Sequence, residues 1–266
     1  RQRFEKKDFQ LTETIMRKAG KMGFLGVSVP EEYGGLNMGF ISSMLVCEYI
    51  SSGTGSFSTA FGAHTGIGTM PITLYGSDDQ KKKYLPKLTS GEWFGAYCLT
   101  EPSAGSDANS GKTIAMLADD KKNYLITGQK MWISNAGFCN LFIVFARIEN
   151  DKNITGFIVE NDPSNGITLG EEEHKLGIRA SSTRQVFFNE TKVPVENMLS
   201  ERENGIKIPY IVTIEEGSGK VVGIRRNFEK GDEKKMKKQY FVHYKFLPGL
   251  GFYGFGLIHM IGGLSR

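Results

Sequence analysis

The pattern of apolar residues changes at Gly91, and this change most constrains the fold. Upstream of Gly91, apolar side chains recur at helical spacing, and downstream they alternate as in a half-buried strand. The helical set is Phe9, Leu11, Ile15, Met16 and Ala19, and the alternating set is Phe94, Ala96, Cys98 and Thr100. The sequence therefore predicts a helical domain followed by a β domain.

Turn and capping residues refine the helical part. We expect helices over 9–19, 40–51 and 58–75, the last weakened by its glycines and Pro71. Ser77 and Gln80 have the spacing of a capping box, which predicts a fourth helix that begins there and carries Lys81, Lys82 and Lys83 on a solvated face.

Seven short strand patterns follow the first alternating segment, and no long helical pattern separates them. They cover residues 112–117, 124–127, 129–134, 141–148, 156–160, 167–172 and 184–188. This succession is typical of an antiparallel β-barrel or sandwich. The predicted class is α+β: an N-terminal α-helical domain, an antiparallel β-barrel or sandwich domain, and then a tail of different character.

Composition excludes several kinds of protein. The three cysteines, Cys47, Cys98 and Cys139, form no C-x-x-C pair, so we expect neither disulfides nor a metal site, but small buried side chains in a reducing, cytoplasmic compartment. No apolar run reaches the ~18 residues that a membrane span needs. The chain begins Arg-Gln-Arg-Phe, without Met or a signal-peptide pattern, which suggests a fragment.

The positive charge of the chain belongs to its tail. Of the net charge of +4, residues 208–266 contribute +5, which leaves −1 for residues 1–207. The main body therefore carries no electrostatic indication of specific nucleic-acid binding.

Two segments combine the residue types of a ligand site: YCLTEPSAGSD at 97–107 and KMWISNAG at 130–137. The first ends a strand in a turn of small residues that a ligand can approach closely. The second offers the flat indole of Trp132 and the hydroxyl of Ser134 on one side of a strand. This set suits a flavin, yet an isolated strand Trp is also a common core residue, so both interpretations of Trp132 stay open.

Residues 1–207 resemble the acyl-CoA dehydrogenase family of flavoproteins. The resemblance runs in order through VPEEYGG (29–35), residues 68–93, the two segments above and residues 174–199. It implies an N-terminal helical domain over 1–92, a middle β domain over 93–207, an FAD cofactor, and oxidation of an acyl-CoA thioester at its α,β bond. It also implies electron-transfer flavoprotein as electron acceptor and a homotetramer in the intact family.

The resemblance also implies residue roles. Tyr97, Leu99 and Thr100 would line the flavin, with Thr100 toward the pyrimidine side. Trp132, Ile133 and Ser134 would cover the ring and reach its N5 side, and Ser106 would face the thioester arm of acyl-CoA. Ser182 and Thr183 lie in a block that borders the cofactor and an interface, and no role is assigned to them.

No catalytic residue is assigned. The family removes the α-proton with a Glu of its C-terminal helical domain, a segment that we do not find here, so we expect the chain as written to be inactive. Glu101 was the one alternative base, and we interpret it as a loop carboxylate beside the cofactor.

The tail, residues 208–266, resembles part of the portal proteins of short-tailed phages. It has a hairpin signal around Gly217 and Gly219 where the family would continue with a long helix. We therefore expect a chimera joined between Asn204 and Pro209, and the alternative function is that of a phage structural protein without activity. A G-x-G-x-x-G match at Gly249, Gly251 and Gly254 is interpreted as a turn.

Overall fold

The computed structural model describes residues 2–205 and 207–208. The predictions for the tail from Pro209 onward, including its hairpin and its portal-like character, lie outside the described residues. The described helices are α1 (Gln2–Glu5), α2 (Phe9–Lys21), α3 (Phe40–Gly53), α4 (Gly55–Gly62), α5 (Met70–Tyr75) and α6 (Asp78–Ser90).

The predicted capping box is confirmed, and hydrogen bonds show where α2 and α6 begin. The Asp8 carboxylate accepts a hydrogen bond from the Leu11 N–H at 2.9 Å and caps α2. Ser77 and Gln80 form both hydrogen bonds of the capping box that begins α6. Gly91 ends α6 at φ 74°, a left-handed conformation that glycine adopts without strain.

The helix expected over 58–75 is interrupted. A π-helical segment, Ala63–Thr69, separates α4 from α5. This wider turn brings Gly68 against Gly95 of the first strand, where a Cβ on Gly68 would lie 2.9 Å from the Gly95 carbonyl group. Only glycine allows the two backbones to approach so closely, and this contact joins the helical part to the sheet.

Residues 95–199 contain eight strands that form one mixed sheet. Its strands are β1 (Gly95–Cys98), β2 (Ile114–Leu117), β3 (Asn123–Ser134), β4 (Leu141–Ile148), β5 (Ile154–Glu160), β6 (Ile167–Leu169), β7 (Thr183–Pro194) and β8 (Met198–Leu199). Hydrogen bonding follows the order β6-β7-β3-β2-β4-β5-β8, and β1 pairs with β4 beside this path.

The predicted antiparallel barrel or sandwich is wrong. β1 and β2 both run parallel to β4, and the path from β6 to β8 does not close on itself, so the sheet is open and mixed. The period of two shows which residues share a face but not the direction of the neighbouring strand, which is why the sequence pattern could not reveal the parallel pairs.

The core lies on both faces of the sheet. Phe142, Val144 and Ala146 of β4 belong to one apolar cluster, shared with α2. Leu141, Ile143 and Phe145 belong to the other, shared with α6. A strand buried on both faces is nearly continuously apolar, and β4 is apolar except at Arg147. Cys98 and Cys139 are buried, as predicted, whereas Cys47 is only half-buried. Among the described helices, none has the length and apolar character to cross a membrane.

His64 connects the π-helical segment to the sheet. Its ring is fully buried; Nδ1 accepts from the Gly95 N–H at 3.1 Å and Nε2 donates to the Leu88 carbonyl at 3.0 Å. Burial lowers the pKa of His64 to about 4, although the Leu88 carbonyl acts in the opposite direction. The imidazole is therefore neutral in the folded protein at neutral pH.

We expect this histidine to give the fold an acid-sensitive step. The pKa of His64 in the folded chain lies below the unfolded value of 6.5. The contribution of neutral His64 to the free energy of unfolding is therefore complete above pH 6.5 and is lost as pH falls toward 4. The loss is on the order of 3 kcal/mol. Urea unfolding between pH 7.5 and about 4.5 should show a smaller pH slope for His64→Gln than for the parent chain. His174→Gln, at an exposed histidine, is the control, and equal slopes in the parent and His64→Gln would contradict this assignment.

Candidate functional site

The two sequence segments meet at the end of β1. The Met131 N–H of β3 donates to the Thr100 carbonyl at 2.9 Å, and the Lys130 ammonium donates to the Leu99 carbonyl at 3.2 Å. The end of YCLT therefore lies directly beside the start of KMWIS, although about 30 residues separate them in the chain.

A buried ion pair joins these segments. Lys130 Nζ lies 2.7 Å from Glu101 Oε1, and the side chains are only 1% and 4% exposed. The same nitrogen donates to the Phe145 carbonyl of β4 at 2.7 Å and to Leu99. Three acceptors around one nitrogen match the three N–H donors of an ammonium group, so the charged form of Lys130 is the one that fits.

The Glu101 carboxylate is fully engaged. It also accepts the Lys112 N–H at 2.5 Å and the Thr113 N–H at 3.1 Å. Burial alone would raise the pKa of the Glu101 carboxyl, but the charge of Lys130 and these hydrogen bonds hold it below its usual range. Glu101 also exchanges two backbone hydrogen bonds with Ala104, which closes the turn that begins PSAGSD. The carboxylate is therefore a structural anion of this turn.

Trp132 is not a core residue. Its side chain is 39% exposed, and its φ is 57°, a conformation that a bulky residue rarely adopts. The cause is local: the pairing of β3 with β7 shifts between Lys130 and Ile133, so the strand bulges at Met131 and Trp132. Asn135, three residues on, also has a positive φ, of 67°. An exposed indole on strained backbone indicates a functional segment.

The other predicted cofactor-binding residues fall into three groups. Thr100 and Ser134 are half-buried, and neither hydroxyl has a hydrogen-bond partner within the described ranges. Tyr97 and Leu99 are half-buried and pack toward the α6 side of the sheet, opposite to the side of Cys98 and Thr100. Ile133 is 2% exposed and packs in the core, so only its backbone is available to a ligand.

Ser106 lies apart from the strands. It is exposed, two residues beyond the closed turn of Glu101 and Ala104. The structure therefore brings Thr100 and the Trp132 segment together, and it places Ser106 on a surface loop that follows them.

A second carboxylate network, which sequence reasoning missed, holds the far end of KMWISNAG. Glu172 accepts from the Ser182 hydroxyl at 2.6 Å, the Thr183 N–H at 2.8 Å and Arg184 Nε at 2.7 Å. The Ser182 hydroxyl in turn accepts the Gly137 N–H at 3.0 Å. Glu172 stands at the end of the strand predicted over 167–172, whereas the observed strand ends at Leu169, and no motif of the sequence singles it out.

Lys175 closes the loop that carries this network. Its ammonium donates to the Ser181 carbonyl at 2.5 Å and to Thr183 Oγ1 at 2.6 Å. Burial lowers the pKa of Lys175 to about 8, partly offset by Glu172. The residues that the structure describes contain no cluster of His, Cys, Asp and Glu fit to hold a metal ion. What the site offers is a planar aromatic face and two unpartnered hydroxyls, which suits a flat ligand with a polar edge.

Comparisons with known proteins identify both parts of the chain. The family model for the acyl-CoA dehydrogenase N-terminal domain matches residues 1–92, and that for the acyl-CoA dehydrogenase middle domain matches residues 96–191. A probable acyl-CoA dehydrogenase of Bacillus subtilis is 47% identical over 206 residues, which are 77% of this chain and 34% of the relative. The human mitochondrial very long-chain specific acyl-CoA dehydrogenase is 41% identical over 204 residues, which are 74% of this chain and 31% of that protein.

Solved structures agree. The crystal structure of acyl-CoA dehydrogenase complexed with FAD from Bacillus anthracis superposes with a TM-score of 0.77 and 42% identity, over 80% of this chain and 36% of that one. The butyryl-CoA dehydrogenase of Megasphaera elsdenii superposes with a TM-score of 0.73 and 34% identity, over 76% of this chain and 54% of the other. The chain spans about a third to a half of the length of the curated relatives it matches.

We expect the buried ion pair to dominate the stability of this site. Lys130→Met leaves the Glu101 carboxylate buried without its cation, which costs about 3–5 kcal/mol of unfolding free energy. Lys192→Met is the matched control, because Lys192 of β7 pairs with Asp120 at 3.6 Å while 57% exposed, and its loss costs about 1 kcal/mol or less. Urea unfolding at pH 7 measures the free energy of unfolding of both variants. Equal losses in the two variants would show that the buried Lys130 pair contributes no more to stability than the exposed Lys192 pair.

Proposed function

Because this chain belongs to the acyl-CoA dehydrogenase family, we propose that it provides the flavin-binding part of an FAD-dependent enzyme that oxidises acyl-CoA thioesters to enoyl-CoA. In this proposal residues 1–92 are the N-terminal helical domain and residues 93–207 the middle β domain. The observation that carries the proposal is Trp132, an indole 39% exposed on strained backbone beside Thr100.

The residues fit FAD. The face of Trp132 would cover the flavin ring, and the free hydroxyls of Thr100 and Ser134 would donate to its polar edge. Ile133 would contribute through its backbone, because its side chain packs in the core. Tyr97 and Leu99 are proposed to line the site by family resemblance, and their side chains pack toward the α6 side of the sheet.

Substrate binding is proposed to use the loop after the Glu101 turn. Ser106 is exposed there, and its hydroxyl is proposed to face the thioester arm of acyl-CoA. When bound, FAD supplies the hydride acceptor of the reaction. The protein residues described above bind and orient the ring and the thioester.

The proton acceptor must come from elsewhere in the assembled enzyme. Glu101 and Glu172 are the carboxylates that hold the two segments in place, and each already accepts three hydrogen bonds. A general base needs a free lone pair within about 3 Å of the proton that it removes. Glu101 is buried in an ion pair with Lys130 and Glu172 is paired with Arg184, so we propose neither as the base and assign no catalytic base to the described residues.

The partners are also proposals. We propose electron-transfer flavoprotein as the electron acceptor, a homotetramer as the assembled state, and fatty-acid oxidation as the metabolic role, all by family. The resemblance of the tail to a phage structural protein rests on residues outside the described ranges, and no observation in those ranges favours that function.

We expect the 266-residue chain to bind FAD weakly through Trp132. Trp132→Ala should raise the FAD dissociation constant roughly tenfold or more, because an aromatic contact and its buried area are lost. Trp93→Ala is the matched control, since Trp93 packs on Lys87 and Tyr84 in the helical part. Equilibrium dialysis with FAD measures both, and the proposal fails if the parent chain does not bind FAD or if the two variants weaken it equally.

We expect the chain by itself not to oxidise acyl-CoA. With FAD added, reduction of an artificial electron acceptor in the presence of butyryl-CoA or palmitoyl-CoA should stay at the level of the protein-free control, because Glu101 and Glu172 are engaged. Turnover well above that level would overturn the assignment of the base to another segment. If Glu101→Gln then abolished that turnover without loss of folding, Glu101 itself would be the base.

A further inference from the structure

Two adjacent serines of the same loop have opposite environments. Ser181 and Ser182 are both 0% exposed. The Ser181 hydroxyl has no hydrogen-bond partner within the described ranges, whereas the Ser182 hydroxyl donates to Glu172 at 2.6 Å and accepts from Gly137 at 3.0 Å. Only Ser182 therefore links its loop to the end of the Trp132 segment.

The Gly137 end of that segment is packed tightly on this link. A Cβ on Gly137 would lie 2.5 Å from Ser182 Oγ and 2.8 Å from Glu172 Oε1, so a side chain at this position would displace the network. The Asn135 N–H also donates to the Ser182 carbonyl at 2.9 Å. The hydroxyl and the carbonyl of Ser182 thus bind Gly137 and Asn135, which lie one to three residues after Ser134.

The partners of Glu172 reach the same segment from β7. Thr183 pairs with Ser134 and Arg184 pairs with Ile133 in the sheet. Both residues donate to Glu172. The segment from Trp132 to Gly137, with two residues at positive φ, is therefore held after its bulge by one carboxylate, just as Lys130 and Glu101 hold it before the bulge. Such strained backbone persists only where its surroundings determine it.

We propose that Ser182 is a positioning residue: through Glu172 and Gly137 it holds Trp132 in the orientation that the cofactor site needs. Its buried hydroxyl contacts Glu172 and Gly137, so it acts on Trp132 through the turn of Asn135 and Gly137. The consequence for FAD rests on the proposed function, but the consequence for Trp132 does not.

The test uses Trp132 as its own reporter. The chain has two tryptophans, so Trp93→Phe leaves Trp132 as the sole source of indole fluorescence. In this background Ser182→Ala removes the link and Ser181→Ala is the matched control. Glu172→Gln removes the negative charge and one of the two acceptor oxygens of the same network, in case Ser182→Ala fails to fold. Ile72→Val lowers the free energy of unfolding by a change in the buried helical core, away from β3. It shows how the Trp132 signal and FAD binding respond to a loss of stability alone.

We expect Ser182→Ala and Glu172→Gln to shift the Trp132 emission to longer wavelength and to increase its quenching by iodide. They should also raise the FAD dissociation constant roughly two- to tenfold, the range of one lost hydrogen bond. Ser181→Ala and Ile72→Val should change neither quantity.

The outcomes separate the two proposals. If Ser182→Ala moves the Trp132 signal while no protein, including the parent, binds FAD, the positioning role stands and the proposed function fails. If Ser182→Ala and Glu172→Gln match Ser181→Ala, or if Ile72→Val gives the same change, Ser182 does not position Trp132 and the inference is overturned.

Discussion

The structure of the site depends on one buried ion pair, Lys130 with Glu101. The Lys130 ammonium donates to the end of β1, to the turn that follows it and to the middle of β4. β1 with its turn, β3 and β4 therefore meet at a single nitrogen. A buried charge is tolerable only when its partners satisfy it completely. The turn at Ala104 and the start of the bulge in β3 therefore have one compatible arrangement, which brings Thr100 beside Met131.

The second carboxylate extends this arrangement to the far end of the segment. Between Lys130 and Gly137 the backbone adopts two conformations that cost free energy, at Trp132 and Asn135. Glu101 acts before these residues and Glu172 acts after them. Each carboxylate accepts backbone N–H groups and is paired with a cation. Their role is therefore structural. The two carboxylates thus hold the segment between them in one arrangement, with Trp132 on its exposed side.

Much of the fold was predictable, because local rules and tertiary structure agree. β4 begins and ends where its apolar run does, and α6 begins at its capping box. The parallel pairing of β1 and β2 with β4 was not predictable. Alternation of apolar and polar residues is the same in parallel and antiparallel strands, so it does not show strand direction. Of the site, Thr100, Trp132 and Ser134 were named from residue type. Lys130 was overlooked because a strand lysine is normally solvated, although it stands in phase with the buried Tyr124 and Ile126.

The exposure of Trp132 is itself the argument for a ligand. Full burial of an indole would stabilise the fold by several kcal/mol, and the bulge that turns Trp132 outward adds backbone strain instead. A sheet selected for stability alone would pair Met131 and Trp132 regularly and bury the ring. Two ionic networks maintain the costly arrangement, and the hydroxyls of Thr100 and Ser134 remain without protein partners in the described part of the chain. A flat ligand that covers the indole and accepts from these hydroxyls recovers that free energy on binding.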